Sequence, residues 1–404
     1  MFGAERLVDA TSIEQVQQLV AGPGKVRTLG TRHSFNDLAD TTGTLISVTS
    51  IEPDLVIDTV AKTATVGAGT RYGIVATLLE AQGWALHNMG SLPHISVGGA
   101  ISTGTHGSGV TNGNLSTAVA ALEIVTPSGE LRTVKRGDAD FNGTVVGLGA
   151  FGVIVRVSLD IQPSYQLRQD VYRDLEWETF LGDVEAVMGS AYSVSIFTDW
   201  VGDTIGQVWL KSRAEGPVPV DLFGAVRDTV SKPAIVGDIA DNLTQQGGIP
   251  GPWLDRLPHF RLDSTPSAGD EIQTEYFVER SNAAGALRAV KALGERILPH
   301  LIITELRTVA ADELWMSGAY ERDTLAIHFT FKNEPDAIAA LTPVIEAALA
   351  DFDARPHWGK VNSVSGESLA RLYPRIDEFR ALITAADPEG KFRNAALDRT
   401  VFGA

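Results

Sequence analysis

The 404-residue chain contains no cysteine. Disulfides, thiolate nucleophiles and cysteine-ligated zinc or iron–sulfur clusters are therefore excluded. Basic residues are scarce: 33 lysines and arginines stand against 50 acidic residues, a formal charge of −17. A surface of that sign repels phosphate backbones and anionic bilayers, so neither nucleic acid nor membrane is an expected partner, and a small molecule is. No run approaches the roughly 18 apolar residues of a membrane span. The opening MFGAERLVDATS has neither a basic nor an apolar leader region, so a cytoplasmic protein is expected. Fixed-period repeats and low-complexity segments are also missing.

Several common motifs are absent too. There is no P-loop, no H-E-x-x-H and no G-x-S-x-G. Gly147, Gly149 and Gly152 reproduce the G-x-G-x-x-G spacing, but VIVRVSLDI follows, an alternating strand where a dinucleotide turn needs a helix start. A Rossmann reading is rejected.

What is present is an ordinary globular composition, 44% hydrophobic and 21% charged with 40 glycines, in a chain long enough for two cores. TSIEQVQQLVAG reads as a helix with Thr11 and Glu14 as its capping box, ended by Gly22-Pro23. KVRTL and GTLISV read as strands, and LVIDTVAKTATVGAG as two more around a turn. RYGIVATLLEAQG is an amphipathic helix closed by Gly83. VAALEIVTPSGELRTVKRG is a hairpin turning at Pro127-Ser128-Gly129, and Pro163 marks a domain boundary. Beyond it, SVSIFTDW, EIQTEYFV, LIITELRTV and TLAIHFTF read as antiparallel strands, with helices at 281–297 and 335–352 and a helical stretch leading to DPEGKFRNA. The fold class is α+β, with the C-terminus returning to the first domain.

Three features carry chemistry. Residues 88–109, NMGSLPHISVGGAISTGTHGSG, are almost uncharged and rich in glycine and hydroxyls. Such backbone can bind a polyphosphate through nests of N–H groups; the plainer alternative is a surface loop. On LIITELRTV, Glu305 and Arg307 share a face, as do Gln273 and Glu275 on EIQTEYF and His328 and Thr330 on TLAIHFTF. Three such strands could floor a site for a hydroxyl-rich substrate, with Arg307 against a developing alkoxide. The plainer alternative is a solvated sheet face with a Glu/Arg pair. His33, in LGTRHSFND, is read by itself as a hydrogen-bonded structural histidine. Lys360, in HWGK, says little alone. No metal site is expected.

Together LGTRHSF, NMGSLPHISVGGAISTGTHGSG, ELRT, HFT, HWGK and DPEGKFRN resemble the vanillyl-alcohol-oxidase-type FAD family over essentially the whole chain, with the greatest similarity to actinobacterial alditol oxidases. The resemblance implies a two-domain FAD-binding (PCMH/VAO-type) fold. A split FAD domain would take residues 1–165 and 367–404, and an α+β substrate (cap) domain on an antiparallel sheet would take 166–366. It implies covalent attachment of FAD to His33. Gly30, Thr31, Arg32, Ser34, Ser91, Ser96, Gly99, Thr103, His106 and Val153 become further cofactor contacts. Glu305, Arg307 and Lys360 match the catalytic positions, and Ser91, Val110, Gln273, His328 and Thr330 line the substrate site. The implied reaction oxidises the terminal hydroxyl of a polyol such as xylitol or sorbitol, with O2 reduced to hydrogen peroxide, in a monomer. Gly90 leaves room at a position whose bulk, in related lactone-oxidising flavoproteins, influences access of O2. Two alternatives remain: an aldonolactone or sugar oxidase or dehydrogenase of the same fold, and a flavin- or sugar-binding protein without catalysis. Related aldonolactone oxidases carry alanine where Gly359 stands.

Overall fold

The computed structural model describes residues 2–216, 221–229, 233–234, 240–264 and 270–403. Three short strands open the chain, Arg6–Asp9, Val26–Leu29 and Thr44–Ser47, and pair in parallel with the third in the middle. Between the first two runs the helix Ile13–Ala21, which buries Val16 and Val20. Its cap lies one residue later than the sequence suggests. Ser12 Oγ accepts from Gln15 N–H at 3.2 Å while Gln15 Oε1 accepts from Thr11 N–H at 2.9 Å. The capping pair is therefore Ser12 with Gln15, because the helix starts at Ile13, which makes Ser12 the N-cap and puts Gln15 at the third helical position.

A five-stranded antiparallel sheet follows, with Thr63–Gly67, Val153–Asp160 and Val119–Val125 at its centre. Strict alternation in Val153–Asp160 buries every second side chain, as a half-buried strand requires. The hairpin Val119–Val125 with Leu131–Lys135 turns at Gly129, whose φ of +85° suits glycine. Residues 88–109 are not all loop: Val97–Ser102 forms a short helix that buries Val97, Ala100 and Ile101. Two apolar steps at helical spacing outweigh the glycines there.

The second region is built on a nine-stranded sheet whose paired strands are all antiparallel. Its middle runs Gln166–Glu176, Thr204–Arg213, Ser193–Thr198, Leu301–Val309, Thr324–Lys332, Glu271–Glu279. One face is covered by the helices Ala283–Lys291 and Pro335–Leu349, packing Leu287, Val290, Ile338 and Ile345 against Leu306, Ile327 and Phe329. The opposite face carries the polar residues of the site.

The end of the chain returns to the first sheet. Lys391 O accepts from Val26 N–H at 3.0 Å, and Arg399 pairs with Asp37 at 2.8 Å. Arg27 is buried at their junction and donates to the carbonyls of Gly149 and Phe392 at 2.9 Å, of Leu148 at 2.8 Å, and of Leu38. Among the described residues no helix is long and apolar enough to cross a membrane.

Candidate active site

A groove of about 490 Å³ opens beyond the C-terminal ends of the three parallel strands, bordered by Asp9, Gly30 to His33, Ser47, Thr49 and Thr70. This is where open α/β layers place ligands, since the loops leaving the strands diverge there. Arg32 takes a left-handed φ of +64° without being glycine, a conformation that costs about 1–3 kcal/mol and clusters at functional turns. Around it, the amides of Thr31, Arg32, His33 and Ser34 have no protein acceptor among the described residues, the form of an anion-binding nest. A Cβ on Gly30 would fall 2.3 Å from Ser96 Oγ, and one on Gly99 3.0 Å from it. Those glycines let the two loops touch. Thr31 Oγ1 accepts from Ser96 N–H at 2.9 Å and meets His33 Nδ1 at 3.0 Å.

The His33 ring is open to the groove, yet the walls desolvate it, and with His94, Lys360 and Arg71 nearby its pKa falls to about 4. The imidazole is thus neutral, and a nucleophile, over the physiological range. Thr70 also borders the groove with a buried Oγ1 that has no hydrogen-bond partner among the described residues. Thr103 Oγ1 contacts Gly99 O and Thr105 Oγ1, both at 3.2 Å.

A second cluster lies on the polar face of the large sheet. Its register puts Glu305, His328 and Glu275 side by side on adjacent strands, with Thr330 opposite Gln273 in the next rung. Glu305, Arg307, Glu275 and His328 are buried, so the alternative of a solvated sheet face does not hold. Residues 88–109 cover that face. Arg307 Nη1 donates to Ser91 Oγ at 3.2 Å and to His106 O at 3.4 Å, and Arg307 Nη2 to Glu275 Oε1 at 2.9 Å. Ser91 Oγ lies 3.5 Å from Glu305 Oε2. Burial works to raise both carboxyls, but it is outweighed, by Arg307 and His259 at Glu305 and by His106, His328 and Arg307 at Glu275. Both stay ionised far below the usual carboxylate range.

Lys360 completes the floor. Its ammonium donates to Gln273 Oε1 and sits 4.8 Å from the Phe35 ring centre. Burial lowers it to about 8 against the pull of Glu275. Phe35 N–H donates to Gly359 O at 2.8 Å, and Asn36 Nδ2 to Trp358 O at 2.7 Å and Lys360 O at 3.0 Å. The turn holding His33 is thereby clamped to the segment holding Lys360, which sets the groove beside the floor.

Not every residue named from the sequence points into this space. His106 is sunk beneath it, with Nε2 3.1 Å from Glu275 Oε1. The Val153 side chain is wholly buried in a separate apolar cluster with Val125, Val155 and Phe392. Val110 is half-buried and packs against the second core. Conversely, His259 and Lys211 belong to the cluster although nothing in the sequence singles them out, whereas Glu275 is named for the face it shares with Gln273.

Residues 4–135 match a family model described as an FAD binding domain, and residues 270–400 one described as D-arabinono-1,4-lactone oxidase. An alditol oxidase from Streptomyces sp. is 44% identical over 367 residues, covering 90% of this chain and 88% of that protein. The chain belongs to the vanillyl-alcohol-oxidase-type family of FAD flavoproteins. Within that family, an L-gulono-1,4-lactone dehydrogenase from Mycobacterium tuberculosis is 29% identical, with 96% of this chain and 94% of that one aligned. The cholesterol oxidase structure from B. sterolicum shares the family's fold, with a TM-score of 0.78 at 16% identity over 98% of this chain and 94% of that one. The protein is an FAD-dependent oxidoreductase. The residues present fit the family's cofactor: four free amides in a nest, an unpartnered buried hydroxyl on Thr70, and glycines where a Cβ would block the approach.

Proposed function

We propose that the protein is an alditol oxidase that converts the terminal primary alcohol of a polyol such as xylitol or sorbitol to the aldehyde and releases hydrogen peroxide. The observation that carries this reading is the arrangement of buried Glu305 and Arg307 with half-buried Ser91 and Lys360 beside the His33 turn. When bound, FAD supplies the two-electron acceptor for the carbinol hydride at N5 and hands the electrons on to O2.

The nest at Thr31 to Ser34 and the loop of Ser96 and Gly99 would hold the cofactor's pyrophosphate, and the neutral His33 imidazole would tether its ring. Arg307 and Lys360 supply positive charge at the reacting hydroxyl, which lowers its pKa and favours the alkoxide-like form. Glu305 stays anionic and acceptor-only, so it suits a neighbouring substrate hydroxyl. Gln273, Thr330 and Ser91 add polar groups along the polyol chain. His328 adds a polar edge beside them, with Nε2 3.1 Å from Thr330 Oγ1 and Nδ1 3.6 Å from Glu275 Oε2, which fits a site meant for hydroxyls.

A second reading, an aldonolactone oxidase or dehydrogenase, draws on the family match over residues 270–400. Peroxide formation under air with xylitol or sorbitol, against L-gulono-1,4-lactone, separates the two. Peroxide from the lactone and none from any polyol would overturn the alditol assignment. Acid precipitation tests the tether: the wild-type pellet is expected to stay yellow and the His33→Ala pellet to be colourless, and a colourless wild-type pellet would remove the covalent bond.

A further inference from the structure

Behind Glu305 a buried chain of polar groups leads away from the substrate face. Glu305 Oε1 lies 2.6 Å from His259 Nε2, and His259 Nδ1 lies 2.8 Å from Lys211 Nζ. All three residues are buried, with Lys211 only 1% exposed. Lys211 Nζ also donates to Leu257 O. The backbone of His259 does a second job, donating its N–H to Ser91 O at 3.0 Å. One residue therefore grips both Glu305, by its ring, and Ser91, by its main chain.

The ionised carboxylate together with a neutral ring sets the hydrogen-bond polarity. An ionised carboxylate only accepts, so His259 must carry its proton on Nε2. Nδ1 is then an acceptor, and Lys211 donates to it. An imidazolium would oppose two donors at 2.8 Å. Burial and the adjacent Lys211 push His259 down to about 4, consistent with the neutral ring. Trp209 and Phe197 meet the imidazole edge to face at centroid distances of 4.9 and 5.6 Å, which fixes the plane of the ring and keeps water out.

We propose that Lys211 and His259 are positioning residues for alcohol oxidation: Lys211 holds His259 in its Nε2–H tautomer, and His259 in turn holds Glu305 and Ser91 in place for the substrate hydroxyls. This rests on the alditol reading for the identity of the substrate, but not for the chain itself. Lys211 stands two strands away from Glu305 in the sheet, across Ser193–Thr198, so its hydrogen bonding reaches Glu305 through His259, while its charge also acts on Glu305 through space.

The test uses the flavin-loaded enzyme and four variants: His259→Gln, His259→Leu, Lys211→Met and, as a control, Val60→Gln, an exposed residue that borders neither groove nor floor. Misplacement of a substrate-facing group costs about a hundredfold in rate, so H259L is expected to lose that much in kcat/KM for xylitol, with a higher KM. A glutamine amide carries one donor and one acceptor in the same polarity as the tautomer-locked ring, so H259Q is expected to recover most of the loss. K211M should fall about tenfold by the same positional argument. Flavin content and the melting curve are read alongside. In protein labelled with 15N-histidine, the His259 signals, assigned by their loss in H259Q, should report an unprotonated Nδ1. Full kcat/KM in H259L or K211M would overturn the proposal, as would an H259Q no better than H259L, or a protonated Nδ1. If the wild type oxidises no polyol, the alditol reading fails, while the nitrogen spectrum still decides the chain.

Discussion

Glu275 and Arg307 stand on strands separated by a third and meet at 2.9 Å beneath Ser91, both buried. The contact runs diagonally, because Glu275 faces His328 across the rung while Arg307 faces Ala326. The guanidinium is thereby aimed through the sheet face toward the loop of the other domain. Glu275 also receives His106 at 3.1 Å, so one carboxylate orders both Arg307, which the alditol reading uses, and the buried His106 ring.

Glu275→Gln therefore leaves Arg307 with a weaker partner in a dry site. Breaking one side of a buried pair costs about 3–5 kcal/mol when the partner charge is left alone, and Glu305 at 3.6 Å offsets part of that. The expected loss is about 2 kcal/mol in urea unfolding, with a larger fall in kcat/KM. A variant as stable and as active as wild type would show that the diagonal contact is idle.

Lys360 sets a pH dependence. The folded protein releases its proton near 8, whereas an unfolded lysine holds it to about 10.4. Between those values the unfolded chain binds more protons, so stability rises with pH across the window. Activity should move the other way, because the cation beside the reacting oxygen is lost. A falling limb in kcat/KM near pH 8 is expected in the wild type and absent in Lys360→Met. A rising limb would instead make the neutral amine the base.

Gly90 has room for one more carbon: a Cβ there would lie 3.4 Å from Ile95 Cδ1 and 3.8 Å from its next neighbours. Gly90→Ala should fold normally and be reduced by polyol at nearly the wild-type rate. Reoxidation by O2 should slow by roughly tenfold, about 1.4 kcal/mol on that barrier. Stopped-flow reoxidation against an artificial dye acceptor checks it, and unchanged oxygen kinetics would remove this position from the oxygen path.

Arg27 ties the chain's two ends together through carbonyls of residues 38, 148, 149 and 392. Arg27→Leu strands those acceptors, each worth about 1–3 kcal/mol when left buried and unpaired. The expected loss exceeds about 3 kcal/mol, seen as a lower urea midpoint and, since Gly30 follows the same strand, as weaker retention of the flavin. A leucine variant with wild-type stability would mean that the C-terminal return is held elsewhere.

Alternation and turn chemistry were legible residue by residue. Val153–Asp160 announced a half-buried strand, Gly129 a hairpin turn, and Glu305 with Arg307 a shared face, since each depends only on neighbours within a few positions. The helix cap lies one residue beyond the expected one, because Thr11 and Ser12 are both good caps and only the backbone, which turns helical at Ile13, decides between them. The helix inside residues 88–109 was hidden by glycines that local propensity disfavours and tertiary packing overrides.

The sequence by itself determined which side chains share each strand face, where the chain turns, and which family the ordered motifs belong to. Only the tertiary structure decided that the Glu305 face is buried, because the loop that covers it comes from the other domain. The same holds for the partners of Glu305. His259 and Lys211 reach it or each other across 46 and 48 residues, and a contact closed by sheet packing at such separations leaves no period for a sequence to reveal.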